Sequence, residues 1–187
     1  MTIISTAGES GSGDESGNEG EIRMHWADDP ALAARIADFF CAHADATYIS
    51  HSELQGSRAL APGVWSPDLR NIVCAQAAET LEGAVNDGSA DAIACAWMGA
   101  ELAAVAFVSF GGSDPGRRFA VLEDVIVSPA VRGKGVGREF VEWIAARAGD
   151  LGARRLFLES GAGNDSAHRF FERAGFHQTS IVMMRDL

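Results

Sequence analysis

The 187-residue chain has one lysine, Lys134, one tyrosine, Tyr48, and three cysteines. No apolar run approaches the roughly 18 to 20 residues that cross a bilayer. The N-terminus also lacks the positive start and apolar middle of a signal peptide. These absences argue against a membrane-spanning or exported protein and predict a cytoplasmic one. Cys41, Cys74 and Cys95 are odd in number, far apart and set among apolar neighbours. They offer neither an even disulfide framework nor zinc spacing, so they are expected to be buried free thiols. His43, Asp45, His51 and Glu53 form a loose group whose spacing matches no metal template, and no metal is expected. Basic residues are scarce too: the net charge is -11. A chain that acidic lacks the positive field that nonspecific nucleic-acid binding requires.

The charge is unevenly spread. Residues 21 to 116 carry 13 acidic residues against four arginines, whereas residues 117 to 173 carry ten basic against eight acidic ones. That asymmetry fits an anionic ligand on the C-terminal half and a cationic one facing the N-terminal half; a merely solvated acidic surface is the alternative. The length suits one domain. "ESGSGDESGNEG" has no apolar residue to bury, so residues 1 to 20 read as a disordered acidic Gly/Ser leader, leaving 21 to 187 as the single domain.

Within it, "EIRMHW" is a short strand. Asp29 as cap and Pro30 behind it open a helix with Leu32, Ile36, Phe39 and Phe40 on one face. Ser66 and Pro67 open a second, with Leu69, Ile72 and Val73 inward. The stretch from Thr47 to Trp65 has no clean period and reads as a loop or a broken helix of the kind that shapes substrate sites. "DAIACAW" and "LAAVAFVSF" flank a Gly-containing turn and form a hairpin. A strand "RRFAVLEDVIV", a helix from about Gly135, a strand "RRLFLES", a helix "NDSAHRFFERAG" and a last strand "HQTSIVMMRDL" follow. This order predicts an α/β fold, a mixed sheet with flanking helices.

The loop "RGKGVGRE" leads from strand to helix and gathers three glycines around Lys134. Such a turn can aim several backbone N–H groups at one anion, helped by the positive end of the helix, and phosphate is the natural guest. A P-loop is excluded because Gly135, with no hydroxyl, follows Lys134. A dinucleotide fingerprint fits poorly: Arg138 stands where its third glycine belongs, although Glu159 sits at a fitting distance downstream. The remaining pattern is R-x-x-G-x-G, met by Arg132, Gly135 and Gly137.

With "LEDVIVSPAVRGKGVG" before it and "NDSAHRFFERAGF" after it, the loop resembles that of the GNAT acyltransferases, which transfer acyl groups from coenzyme A to amines. The resemblance covers residues 120 to 176 well. It implies a mixed, mostly antiparallel central sheet flanked by helices, acetyl-CoA as cofactor and a possible homodimer. It implies that Arg132, Gly133, Lys134, Gly135, Val136, Gly137 and Arg138 hold the pyrophosphate. Backbone groups of Val125, Ile126 and Val127 would pair with the pantetheine arm, one N–H facing the thioester oxygen. Asn164 and Phe171 would contact the cofactor, although Asn164 also reads as a plain helix cap.

An amine arrives protonated, so a base is needed. Glu123 and Asp124 interrupt an apolar strand, and Glu123 falls where several family members carry a catalytic glutamate. Strand neighbours point to opposite faces, so at most one of the pair is expected in the site, with Asp124 as the alternative. Phe171 stands where many relatives have a proton-donating tyrosine, and phenylalanine cannot donate. Water or Tyr48 is left for that step. The implied function is transfer of an acetyl group to a primary amine of a small cationic molecule, with Tyr48, Glu53 and Asp45 as substrate residues. The alternatives are a protein or peptide N-acetyltransferase and a catalytically degenerate coenzyme A-binding module.

Overall fold

The computed structural model describes residues 21–86, 91–114 and 116–187; the predicted leader lies outside them. Five strands form the central sheet in the order β1-β4-β5-β6-β7: β1 (Ile22–Ala27), β4 (Ala92–Met98), β5 (Glu101–Gly111), β6 (Phe119–Val127) and β7 (Leu156–Leu158). The first four pair antiparallel, and β7 runs parallel to β6. Helices α1 (Ala33–His43) and α3 (Leu69–Asn86) cover one face, and α4 (Val136–Asp150) and α5 (Asp165–Arg173) lie on the other. The expected mixed, mostly antiparallel sheet with flanking helices is what forms.

The apolar runs of β4 and β5 lack polar alternation because both faces are buried. Towards α1 and α3 the sheet presents Ile93, Cys95, Val105 and Phe107, packed against Ile36, Phe40, Val73, Ala77 and Leu81. Towards α4 it presents Ala94, Ala96, Ala104, Ala106 and Ala120, a floor of small residues that receives Phe140 and Ile144. Asp29 accepts a hydrogen bond from Ala31 N at 2.9 Å, capping a single 3-10 turn, Pro30–Leu32, before α1 begins. The irregular segment after α1 resolves into a 3-10 turn, Ala46–Tyr48, a short helix α2 (His51–Gln55) and a small ribbon of β2 (Ala59–Ala61) with β3 (Val64–Trp65). Among the described residues no helix is long and apolar enough to cross a membrane.

Two expectations are corrected. Of the three free thiols only Cys95 is buried; Cys74 is half-buried and Cys41 is exposed on α1. Residues 177–187 form no strand, and Ile181, Val182, Met183, Met184 and Leu187 stand exposed. Strand composition alone does not make a strand: the ladder needs an edge, and β7 offers only three residues.

Candidate functional site

β6 carries the site because it changes phase in the middle. Opposite β5, Val108 pairs with Leu122 and Phe107 with Asp124, so Glu123 is an extra residue, a β-bulge. Before the bulge Ala120 and Leu122 face α4; after it Val125 and Val127 do, while Ile126 joins the opposite core. Glu123 and Asp124 are therefore not split between the faces as simple alternation predicts. Both lie on the α1/α3 side and line the same cavity. The backbone shifts phase with them. Ser128 N donates to Ala103 O at 2.9 Å, which turns residues 126 and 128 towards β5 and leaves the N–H and C=O of Val125 and Val127 facing away from it. The β6–β7 pairing ends at Leu122 and Leu158, so that side opens into a cleft.

The cleft holds a cavity of about 550 Å³ lined by Val125, Ile126, Val127, Arg132, Gly133, Gly135, Gly137, Arg138, Asn164 and Phe171, among others. Gly133 and Gly135 have φ of 77° and 86°, left-handed values that favour glycine and let the loop turn into α4. Glu139 N donates to Gly135 O at 3.0 Å as the first bond of the helix, so the N–H groups of Val136, Gly137 and Arg138 precede that ladder. Asn164 caps α5, its Oδ1 accepting from Ala167 N at 3.2 Å; it lines the cavity while doing so. Phe171 packs edge-on against Phe170 and Phe176. Lys134 is exposed at the loop but does not line the cavity.

A second cavity, of about 440 Å³, adjoins the first, with Glu53 and Glu123 in both walls. It is lined by Glu53, Glu79, Asp91, Glu123 and Asp124, with Arg58 the one basic residue among the described lining residues. Glu123 is exposed there, and Ser109 Oγ donates to its Oε1 at 2.5 Å. Asp124 is only 2% exposed and carries a different load. Arg58 Nη1 donates to both of its oxygens, at 3.0 and 2.8 Å, and Tyr48 Oη donates to Oδ1 at 2.8 Å. Tyr48 Oη in turn accepts from Val125 N at 3.2 Å. Arg58, 66 residues away along the chain, is thus the counter-charge of Asp124. As the one arginine between Arg35 and Arg70 in an acidic stretch, it was the available signal.

The three predicted substrate residues all have structural work. Tyr48 is pinned by Asp124 and the Val125 N–H. Burial first, then the Asp124 charge and hydrogen bond, raise its phenol well above the ordinary value, so it keeps its proton and donates a hydrogen bond to Asp124. Glu53 is buried and accepts from both Ser50 N and Ser50 Oγ, at 2.8 and 2.7 Å, in a capping box. Asp45 accepts from Thr47 N and Oγ1, and the Thr47 hydroxyl bond holds its carboxyl below the usual range. His51 turns away from Asp45 and Glu53: its backbone N donates to Glu159 Oε1 at 2.9 Å, and its Nδ1 lies against the same carboxylate. Among the described residues no group of three or more His, Cys, Asp or Glu side chains could hold a metal.

This segment packs closely against Gly161, three residues beyond β7. A Cβ there would sit 2.5 Å from Thr47 O and 2.6 Å from Ile49 O. Gly161→Ala should push the turn bearing Tyr48 outward and cost about 1–3 kcal/mol, the usual scale of overpacking, read as a fall in the urea midpoint. An unchanged midpoint would show that the turn yields freely.

Comparisons fit this geometry. The sequence model of the acetyltransferase (GNAT) family matches residues 66–176. No curated protein sequence matches the chain. A transcriptional regulator from Bacillus halodurans C-125 superposes with a TM-score of 0.63 at 18% identity, over 89% of this chain and 100% of its own. The aminoglycoside N-acetyltransferase AAC(6')-Iy, solved in complex with CoA, does so with a TM-score of 0.60 at 14% identity, over 89% and 93%. Glucosamine-6-phosphate N-acetyltransferase from Arabidopsis thaliana gives a TM-score of 0.57 at 16% identity, over 89% and 98%. At these identities the likeness is one of fold.

Proposed function

The chain belongs to the GNAT acetyltransferase family, whose acyl donor is acetyl-CoA, and from that premise we propose that it acetylates a primary amine of a small, cationic molecule, with Glu123 as the base. The observation that carries this reading is the meeting of two cavities at Glu123, one beside a phosphate-type loop and the other walled by carboxylates.

The first cavity fits the cofactor. The amides of Val136, Gly137 and Arg138 at the start of α4 would hold the pyrophosphate, with Arg132 and Lys134 adding positive charge. The Val125 carbonyl and both backbone groups of Val127 would take the pantetheine arm as an added strand would, the Val125 N–H being held by Tyr48. Acetyl-CoA, when bound, supplies a thioester carbonyl carbon open to an amine and a thiolate that leaves. The chain's own part is to deliver that amine unprotonated. Glu123 accepts a proton from the incoming ammonium, freeing the nitrogen lone pair for direct attack. The nitrogen's second proton passes to water as the amide forms, and the departing sulfur takes one from water, since Phe171 has none to give. Among the described cavity-lining residues there is no Cys, and Ser50, whose hydroxyl meets the Glu53 carboxylate, is tied into the cap of α2, which supports direct transfer.

The acidic wall favours acceptors with more than one positive charge. Across a series of small amines, KM should fall as positive charges are added and rise with salt, because exposed charge pairs are screened over about 10 Å at 0.1 M. Turnover confined to peptides would overturn the small-molecule reading. Binding of coenzyme A without turnover of any amine would overturn the catalytic one.

A further inference from the structure

Glu123 sits on a bulge, where a side chain has fewer fixed neighbours than in a regular ladder, and a carboxylate has two nearly equivalent oxygens to offer. Something must aim it. Its neighbour Asp124 is clamped by Arg58 and Tyr48, which fixes the backbone of the bulge but not the direction of the Glu123 carboxyl. That direction is set from β5. Ser109 Oγ donates to Glu123 Oε1 at 2.5 Å, a short bond of the charge-assisted kind. Ser109 pairs in register with Val121 and follows Val108, which faces α4; its own side chain therefore stands on the α1/α3 side with the two carboxylates. It lies outside the linings of both cavities. In the second cavity the other charged groups among the described residues are Glu53, Glu79, Asp91, Asp124 and Arg58, and Arg58 is engaged by Asp124; the arginines of the first cavity belong to its phosphate-loop and α5 walls.

We propose that Ser109 is a positioning residue for the transfer: its hydroxyl occupies Oε1 of Glu123 and so presents Oε2 to the incoming ammonium. The proposal rests on the reading of Glu123 as the base. The hydroxyl touches neither donor nor acceptor, so its removal should act on the rate and not on binding. Ser109→Ala is expected to lower kcat about tenfold, with KM for the amine and the affinity for coenzyme A, read by calorimetry, each within twofold of wild type. Ser109→Thr restores a hydroxyl on a strand-compatible side chain and should recover most of the lost rate. A structural role would instead lower the thermal midpoint, which Ser109→Ala should leave in place. Wild-type kcat in Ser109→Ala, or a loss that Ser109→Thr does not repair, would overturn the proposal. Glu123→Gln measured beside it separates the two readings. An inactive Glu123→Gln with a fully active Ser109→Ala sinks the positioning role alone, and an active Glu123→Gln sinks both.

Discussion

Glu123→Gln should lower kcat by about two to four orders of magnitude, the usual contribution of a positioned base, while coenzyme A binds as before. The amide keeps the shape of the side chain and can still meet the Ser109 hydroxyl, but it cannot take a proton from an ammonium. Glu123 is exposed to the cavity and its neighbour Asp124 bears the structural ion pair, so the folded state should tolerate the change. Raising the pH should recover part of the rate, because more of the amine then arrives unprotonated. Loss of coenzyme A affinity in this variant would mean that Glu123 serves the cofactor cleft instead.

Arg58→Met should be the most destabilising single change at the site, by about 3–5 kcal/mol, because it leaves a buried carboxylate without its counter-charge. The Arg58 side chain is 12% exposed and that of Asp124 2%, and the guanidinium also lies over Phe40 and Phe107. Methionine replaces the apolar contacts but not the charge. Asp124→Asn added to Arg58→Met should return a large part of the loss, since the uncompensated charge is then gone. Chemical denaturation of the two single variants and the double variant measures this coupling directly. Strict additivity would show that the pair contributes little beyond its packing.

The two variants bear on adjacent residues with opposite consequences, and that difference was not legible in the chain. "LEDV" reads as an alternating strand, which sends one carboxylate in and one out. The bulge that brings both to one side exists only relative to β5, and nothing in the β6 sequence encodes the partner's register. Arg58 was missed for a similar reason: its partner lies 66 residues away and the segment between α1 and α3 has no period to read. What local chemistry specifies was legible. The hairpin turn and the glycine-rich loop leading into α4 each follow from a few neighbouring residues and form where expected, and the Pro-marked helix starts lie within a turn of α1 and α3. Tyr48, Glu53 and Asp45 stand at or near the cavities, but as caps and anchors whose polar atoms are already engaged. The apolar tail marks the opposite failure, where composition suggested a strand and the sheet provided too short an edge.

On the proposed reading, acyl donor and amine occupy the two cavities and meet at Glu123. The most direct measurement mixes wild-type protein, acetyl-CoA and a small diamine at low salt, and follows free thiol by absorbance and N-acetylated amine by mass spectrometry in the same samples. Thiol and acetylated diamine rising together in equal amounts, with neither formed when the amine is omitted, is the predicted result. Thiol released at the same rate without amine, or no acetylated product from any amine offered, would contradict it.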